Sequence, residues 1–198
     1  DYDDFLTSVN WDTEFSASKI SFKDLGYFAP ALDKVDLSPV LHGQINGPIS
    51  NLDGRSMIIL LGDGSVLRGD IDLTGLPDFE NTFIDFRISE LQTGYSDIVK
   101  IGEDVSARDE WTTSLPRELE RAGTLFFQGN FTGFPTDFVA FGDLNTDVGS
   151  FDMDLNLQRD TLRNGIEYLG NLQVNSIDAG KLFALDSLGS VSGSFKIK

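Results

Sequence analysis

Two acidic pairs are the first candidates for chemistry. Asp70-x-Asp72 and Asp152-x-Asp154 set carboxylates two residues apart, a pattern that can serve a Ca²⁺ ion or acid–base catalysis. Apolar residues interleave with both pairs: Ile71 and Leu73 in one, Met153 and Leu155 in the other. In an extended chain that interleaving sends both acids of a pair to one side, with no third ligand at fixed spacing. They read as the solvated face of a strand. His42 is the single His, so any Ser-His-Asp arrangement would have to use it. Gln128 and Ser192 take its place in two related segments, so it reads as an exposed strand position. Gly62-Asp63-Gly64 is too short to cradle a phosphate and lacks the following Lys and helix, and reads as a hairpin turn. Arg117 and Arg121 flank Glu118 and Glu120, as a solvated helix face would. With no Cys, thiol catalysis, disulfides and thiolate metal sites are excluded. The formal net charge of −17, from 32 acids and 15 bases, argues against nucleic acid as a partner, because phosphate contacts need a basic surface. No residue combination supports a named reaction, a cofactor or a metal, and a non-enzymatic protein is expected.

The elements that hold these residues follow a period of two. Phe151, Met153, Leu155 and Leu157 alternate with Asp152, Asp154, Asn156 and Gln158. Leu67, Gly69, Ile71 and Leu73 alternate with Arg68, Asp70 and Asp72; Ile84, Phe86 and Ile88 alternate with Asp85, Arg87 and Ser89. Phe127, Gly129 and Phe131 form another strip, as do Phe138, Ala140, Gly142 and Leu144, and Val9, Trp11, Thr13 and Phe15. Strands with one apolar and one polar face belong to antiparallel sheets. Turn signals separate them: Asn46-Gly47-Pro48, Asp53-Gly54, Gly62-Asp63-Gly64, Gly75-Leu76-Pro77-Asp78, Gly133 with Pro135, and Asp147-Val148-Gly149. The spacing predicts about ten to twelve strands. Helix is expected at about Leu115–Ala122, with Ser114 as N-cap, Pro116 in the first turn and Gly123 closing the end. Two shorter helices are expected at Lys23–Phe28 and Ala179–Leu185, and Gly102–Thr113 reads as a loop.

An apolar-x-Gly-x-apolar pattern recurs along the chain: Leu41-His42-Gly43-Gln44-Ile45, Phe127-Gln128-Gly129-Asn130-Phe131, and Val191-Ser192-Gly193-Ser194-Phe195. Its flanks match as well. Gly47-Pro48 answers Gly133-Phe134-Pro135, Asp63-Gly64-Ser65 answers Val148-Gly149-Ser150, and Asp70-Ile71-Asp72-Leu73 answers Asp152-Met153-Asp154-Leu155. The 198 residues therefore read as one β-repeat domain, with units of about 1–95 and 96–176 and an incomplete third over 177–198. A chain starting at Asp1 and alternating up to Lys198 reads as a piece of a longer protein.

The apolar faces have three possible destinations. They can form the core of a closed β-sandwich, face lipid in a membrane barrel, or line one long sheet curled into a trough. The uneven strands argue against the barrel.

Several stretches resemble the repeat region of TamB, of the AsmA-like superfamily, and especially the long TamB-like proteins of Bacteroidota. They are Leu37–Leu52, Asp70–Asp78 and Thr82–Phe86, then Gly129–Gly133, Asp137-Phe138 and Leu144–Ser150. The resemblance covers most of residues 20–198; an insertion over Gly102–Ala122 departs from it. It implies an all-β fold: an elongated, mostly antiparallel curved sheet, a taco-like groove built from repeated units with one to three short helices. It further implies a periplasmic translocation and assembly module protein, anchored in the inner membrane in its full-length form, that conducts phospholipid in outer membrane biogenesis. The groove lining is then expected to be Leu67, Ile71, Ile84, Phe86, Ile88, Phe127, Phe131, Phe138, Phe151, Met153 and Leu155, in contact with phospholipid acyl chains. A TamA- or BamA-like outer-membrane barrel protein is the implied partner. Two alternatives stay open: a protein-binding module that aids outer-membrane protein assembly through strand edges, and a closed-sandwich scaffold or adhesin.

Overall fold

The computed structural model describes residues 7–25, 36–62, 64–105, 118–160 and 165–197. The alternating segments become ten strands: β1 (Trp11–Lys19), β2 (Val40–Gly47), β3 (Asn51–Leu61), β4 (Ser65–Thr74), β5 (Phe83–Gly94), β6 (Thr124–Phe134), β7 (Asp137–Thr146), β8 (Gly149–Asp160), β9 (Gly165–Asp178) and β10 (Ser190–Ile197). They form a single curved antiparallel sheet that does not close, in the order β1 to β10, each strand paired with its sequence neighbours. This is the expected all-β groove and not the two facing layers of a sandwich. The three Gly-centred segments fall on β2, β6 and β10, four strands apart.

Among the described residues four short α-helices are present where one to three short helices were expected: α1 (Phe22–Leu25), α2 (Tyr95–Val105), α3 (Glu118–Arg121) and α4 (Ala179–Phe183). Three coincide with expected helices. Their partners Ser114, Pro116 and Arg117, and residues 26–28, lie outside the described residues. Gly123, at φ +76°, follows α3 in the left-handed region, as expected for a helix stop. α2 corrects the loop expected from Gly102, since the helix runs through Val105; the rest of that stretch, 106–113, lies outside the described residues. The helix is fixed by tertiary contacts that composition does not reveal. Asp97, buried in its first turn, accepts hydrogen bonds from the Gly64 backbone N–H (3.1 Å) and the Ser65 hydroxyl (2.7 Å) at the β3–β4 hairpin. Ser65 also meets the buried Thr93 hydroxyl at 2.7 Å. Ile98 of α2 packs on a small core of Ala122, Leu125 and Val148, joined by Leu144 and Leu182. α2, α3 and α4 thus stand along one long edge of the sheet, where β5 leads to β6 and β9 leads to β10.

Asp53-Gly54 is a second correction. It lies inside β3, opposite Asp72 and Ile71, and makes no turn. An Asp-Gly pair normally signals a hairpin. Here Gly54 is buried because a Cβ would stand 2.7 Å from Ile71 Cγ2 and 3.1 Å from Met57 Cγ, so neighbouring side chains use its space. The other turn signals fall at the strand ends and the connections between them, as expected, Asp63 itself lying outside the described residues.

The strands share an irregularity at mid-length. Two residues oppose one at Ser16-Ala17 against His42, Arg55-Ser56 against Asp70, Ser89-Glu90 against Gln128, and Asn175-Ser176 against Ser192. Such bulges bend a strand and raise its twist. Glycines occupy the same level on β2, β4, β6 and β7. A Cβ on Gly69 would sit 2.1 Å from the Arg87 carbonyl, and one on Gly129 would sit 2.2 Å from the Phe141 carbonyl. Only glycine permits that approach. Bulges and glycines together draw one transverse crease across the sheet, which is the local cause of its curvature.

Candidate functional site

An antiparallel register sends directly paired residues to the same face, which fixes where the expected lining goes. One row across the sheet reads Leu67, Leu91, Phe127, Leu144, Phe151, Val174. The crease row reads Gly69, Ile88, Gly129, Gly142, Met153, Leu172. The next reads Ile71, Phe86, Phe131, Ala140, Leu155, Gly170, and the last Leu73, Ile84, Gly133, Phe138, Leu157. All of the lining residues expected from sequence are therefore brought to one face. The same face also collects Leu41, Ile45, Met57, Ile59, Leu91 and Leu172, which period-two reasoning missed. The signal is a phase shift: each bulge inserts one residue, so Leu91 falls out of step with Ile84, Phe86 and Ile88 although it shares their face.

This face is the inner one. Every buried residue of the described strands lies on it, from Gly54 and Met57 on β3 to Val174 and Ile177 on β9. The opposite face of β7 and β8 is exposed at successive alternate positions. Yet the described residues do not fill the inner face. Leu67, Ile71, Ile84, Phe86, Ile88, Phe127, Phe131, Phe138, Phe151, Met153 and Leu155 are all half-buried, none fully covered. The rings lie down rather than stand up. Phe127 covers the space above Gly129 and Gly142, where a Cβ would approach its ring to 2.7 and 2.8 Å, and Phe86 lies over Gly69 at 3.1 Å. Phe131 and Phe138 meet at 4.4 Å between ring centroids. Aromatic side chains laid over glycines leave a shallow, continuous apolar floor. Ten strands at about 4.8 Å spacing make that floor on the order of 45 Å long.

The polar candidates lie on the other face. Asp70 and Asp72 are half-buried and partnered, not simply solvated as the sequence suggested. Asp72 pairs with Arg55 and, at 3.4 Å, with Arg87, while Arg55 also reaches Asp53 at 3.6 Å. The hydrogen bond to Asp72 raises the Arg55 guanidinium above its ordinary value, against the opposing pull of partial burial. Asp70 Oδ1 accepts from the Ser56 backbone N–H at 2.8 Å. Asp152 and Asp154 are exposed, as expected. Among the described residues, no three His, Asp or Glu side chains converge as a metal site.

His42 is half-buried, not the exposed strand position its replaceability suggested. Its Nδ1 accepts from the Ala17 backbone N–H at 3.2 Å across the β1 bulge, and Ser192 Oγ accepts from Ser176 N at 2.8 Å across the β9 bulge. Ala17, Ser56 and Ser176 all adopt left-handed φ near +50°. That conformation costs a non-glycine residue about 1 kcal/mol, which a hydrogen bond of similar size offsets. What the position before the repeat glycine supplies, at β2 and β10, is a side-chain acceptor for a bulge.

Arg121 is exposed and reaches the Leu182 carbonyl at 3.4 Å. Among the described residues no helix is long and apolar enough to cross a membrane. Comparison with models of protein families, with curated proteins and with solved structures finds no match for the chain.

Proposed function

We propose that this chain is a non-enzymatic segment of a lipid-conducting groove, in a periplasmic TamB/AsmA-like protein whose full-length form is anchored in the inner membrane. One observation carries the reading: a single unclosed sheet presents an apolar inner face across its strands, half-covered and with no second layer filling it among the described residues. Apolar surface left in water costs about 25 cal/mol per Å², so a floor of this length attracts acyl chains. Headgroups stay in water at the open side, where no buried charge has to be neutralised. Conduction needs many weak, similar sites. A floor of interchangeable Leu, Ile and Phe side chains supplies them without a single dominant contact. The resemblance to the TamB repeat region supports phospholipid as the cargo and the space between inner and outer membranes as the place.

Lipid extraction and native mass spectrometry of the purified protein test this. Co-purifying phospholipid, displaced by added fatty acid, is the expected result. A protein free of lipid that also takes up none from phosphatidylethanolamine–phosphatidylglycerol vesicles would contradict it.

A second reading rests on β10, exposed at most positions and, among the described residues, paired on one side only, to β9. Strand edges of this kind bind extended peptides by backbone hydrogen bonds, as a module aiding outer-membrane protein assembly with a TamA- or BamA-like partner would. Binding of an extended peptide without lipid uptake would favour it.

A further inference from the structure

The outer face is not uniform. Across the middle of β3 to β5 it carries a network in which Arg55, Arg68 and Arg87 meet Asp53, Asp72 and Glu90, with an exposed Leu60 at one end. On β6 to β9 the same face carries Phe134, Val139, Phe141 and Leu169, all exposed, with Phe141 at 50%. Phe83 of β5 continues the patch by an edge-on contact with Phe134 at 5.5 Å between centroids. Register places Val139 diagonal to Phe134, Phe141 next along β7, and Leu169 two strands beyond, across Asn156. From β5 to β9 the patch crosses four strand spacings, roughly 19 Å.

The rim of this patch is acidic. Asp143 stands directly opposite Asp152, and Asp154 directly opposite Phe141. Like charges in direct register destabilise a sheet. In β6 to β9 the only basic residue is Arg159, near the end of β8. Among the described residues Asp143, Asp152 and Asp154 form no ion pair; Asp152 accepts one hydrogen bond, from Asn175 Nδ2 at 3.0 Å. A depression of about 430 Å³ opens between Gln128, Asn130, Phe141, Asp143 and Asp152.

We infer that this outer face docks a basic amphipathic helix of a partner protein. Its apolar side would cover Phe134, Val139, Phe141 and Leu169, and a Lys or Arg would enter the depression between the Phe141 ring and the Asp143–Asp152 pair. Charge complementarity selects the occupant. Anionic membranes are repelled by the acids, and a second copy of this chain, at −17, brings the wrong sign. Three to four helical turns, at about 5.4 Å each, span the patch, with anchors at i, i+3 or i+4, and i+7. A cation over an aromatic ring beside carboxylates is a favoured contact. The inference is independent of the lipid reading, because the two use opposite faces.

The test is titration of the intact protein with a synthetic helical peptide, Lys on one face and Leu on the other and roughly five turns long, followed by fluorescence anisotropy. Phe141→Thr and the double variant Asp143→Asn/Asp152→Asn are expected to weaken binding about tenfold each, with circular dichroism unchanged. Asp70→Asn on the β4 outer face and Phe86→Asp on the inner face are expected to leave it within about twofold. A Glu/Leu peptide of the same length is expected not to bind. Unchanged binding by the Phe141 and Asp143/Asp152 variants would overturn the inference, as would equal loss with Asp70→Asn, which would mean unspecific attraction. Loss with Phe86→Asp would also overturn it, by placing the peptide in the groove.

Discussion

The strands β2 to β5 and β6 to β9 run through the same order of antiparallel strands, each set ending on a bulged strand, yet they agree on only one side. Their inner faces are interchangeable: Leu67 answers Phe151, Ile71 answers Leu155, and a glycine opposes the crease in each. Their outer faces differ in kind. One is laced with arginine–carboxylate pairs and the other is aromatic and acidic. Where the chain repeats a composition, the shared geometry requires it; where it departs, the departure belongs to one place. The inner floor is therefore the property of the whole strip, and the outer patch a local feature of β6 to β9.

The sharpest way to break the comparison is at the crease. Gly129→Ala pushes a Cβ to 2.2 Å from the Phe141 carbonyl and 2.8 Å from Gly142 Cα, both backbone atoms that cannot move aside cheaply. A loss of about 3 kcal/mol is expected in urea unfolding. Gly64→Ala, with nothing within 4 Å, is the control and should stay within about 0.5 kcal/mol. Equal effects would mean the crease is not set by close approach.

Asp97→Ala comes next. It leaves Ser65 and the Gly64 N–H without their buried acceptor, an expected cost of about 2–3 kcal/mol and a thermal midpoint lowered by about 4–12 °C. A change under about 1 °C would show that α2 does not hold the β3–β4 hairpin.

On the inner floor, Phe86→Asp and Met153→Asp are expected to stay folded, with midpoints only a few degrees lower, because the carboxylate reaches water in an open trough. Both should lose bound lipid, while Asp152→Asn, on the outer face, should keep it. Wholesale unfolding of both would show the floor to be a filled core.

The smallest effect sharpens the bulge argument. His42→Ser keeps an acceptor, as Ser192 does, and should be near neutral; His42→Leu should cost about 1 kcal/mol. Equal costs would detach the bulge from that hydrogen bond.

The alternation of Phe151 to Leu157 was enough to put the candidate lining on one face, because a period of two survives any tertiary context in a regular strand. It was not enough at the bulges. Ser56 adopts left-handed backbone without glycine, and the Ser89-Glu90 bulge carries no glycine either, so nothing local announces the phase shifts that bring Met57 and Leu91 onto the floor. Asp53-Gly54 carried a hairpin's sequence but answered a packing need beneath Ile71. The helix at Tyr95 was hidden because its anchor, Asp97, bonds to a hairpin more than thirty residues earlier. Openness was the least legible property: the same Leu and Phe pattern suits a sandwich core, and only the absence of a facing layer among the described strands distinguishes them.

Acyl chains are expected to lie on the inner face. Photocrosslinking from single sites tests it most directly, with a photoreactive phenylalanine at Phe86 or Phe151 inside and at Phe141 outside. After incubation with phospholipid vesicles and illumination, lipid adducts are expected by mass spectrometry at Phe86 and Phe151 and none at Phe141. Adducts at Phe141 alone, or at none of the three positions, would contradict it.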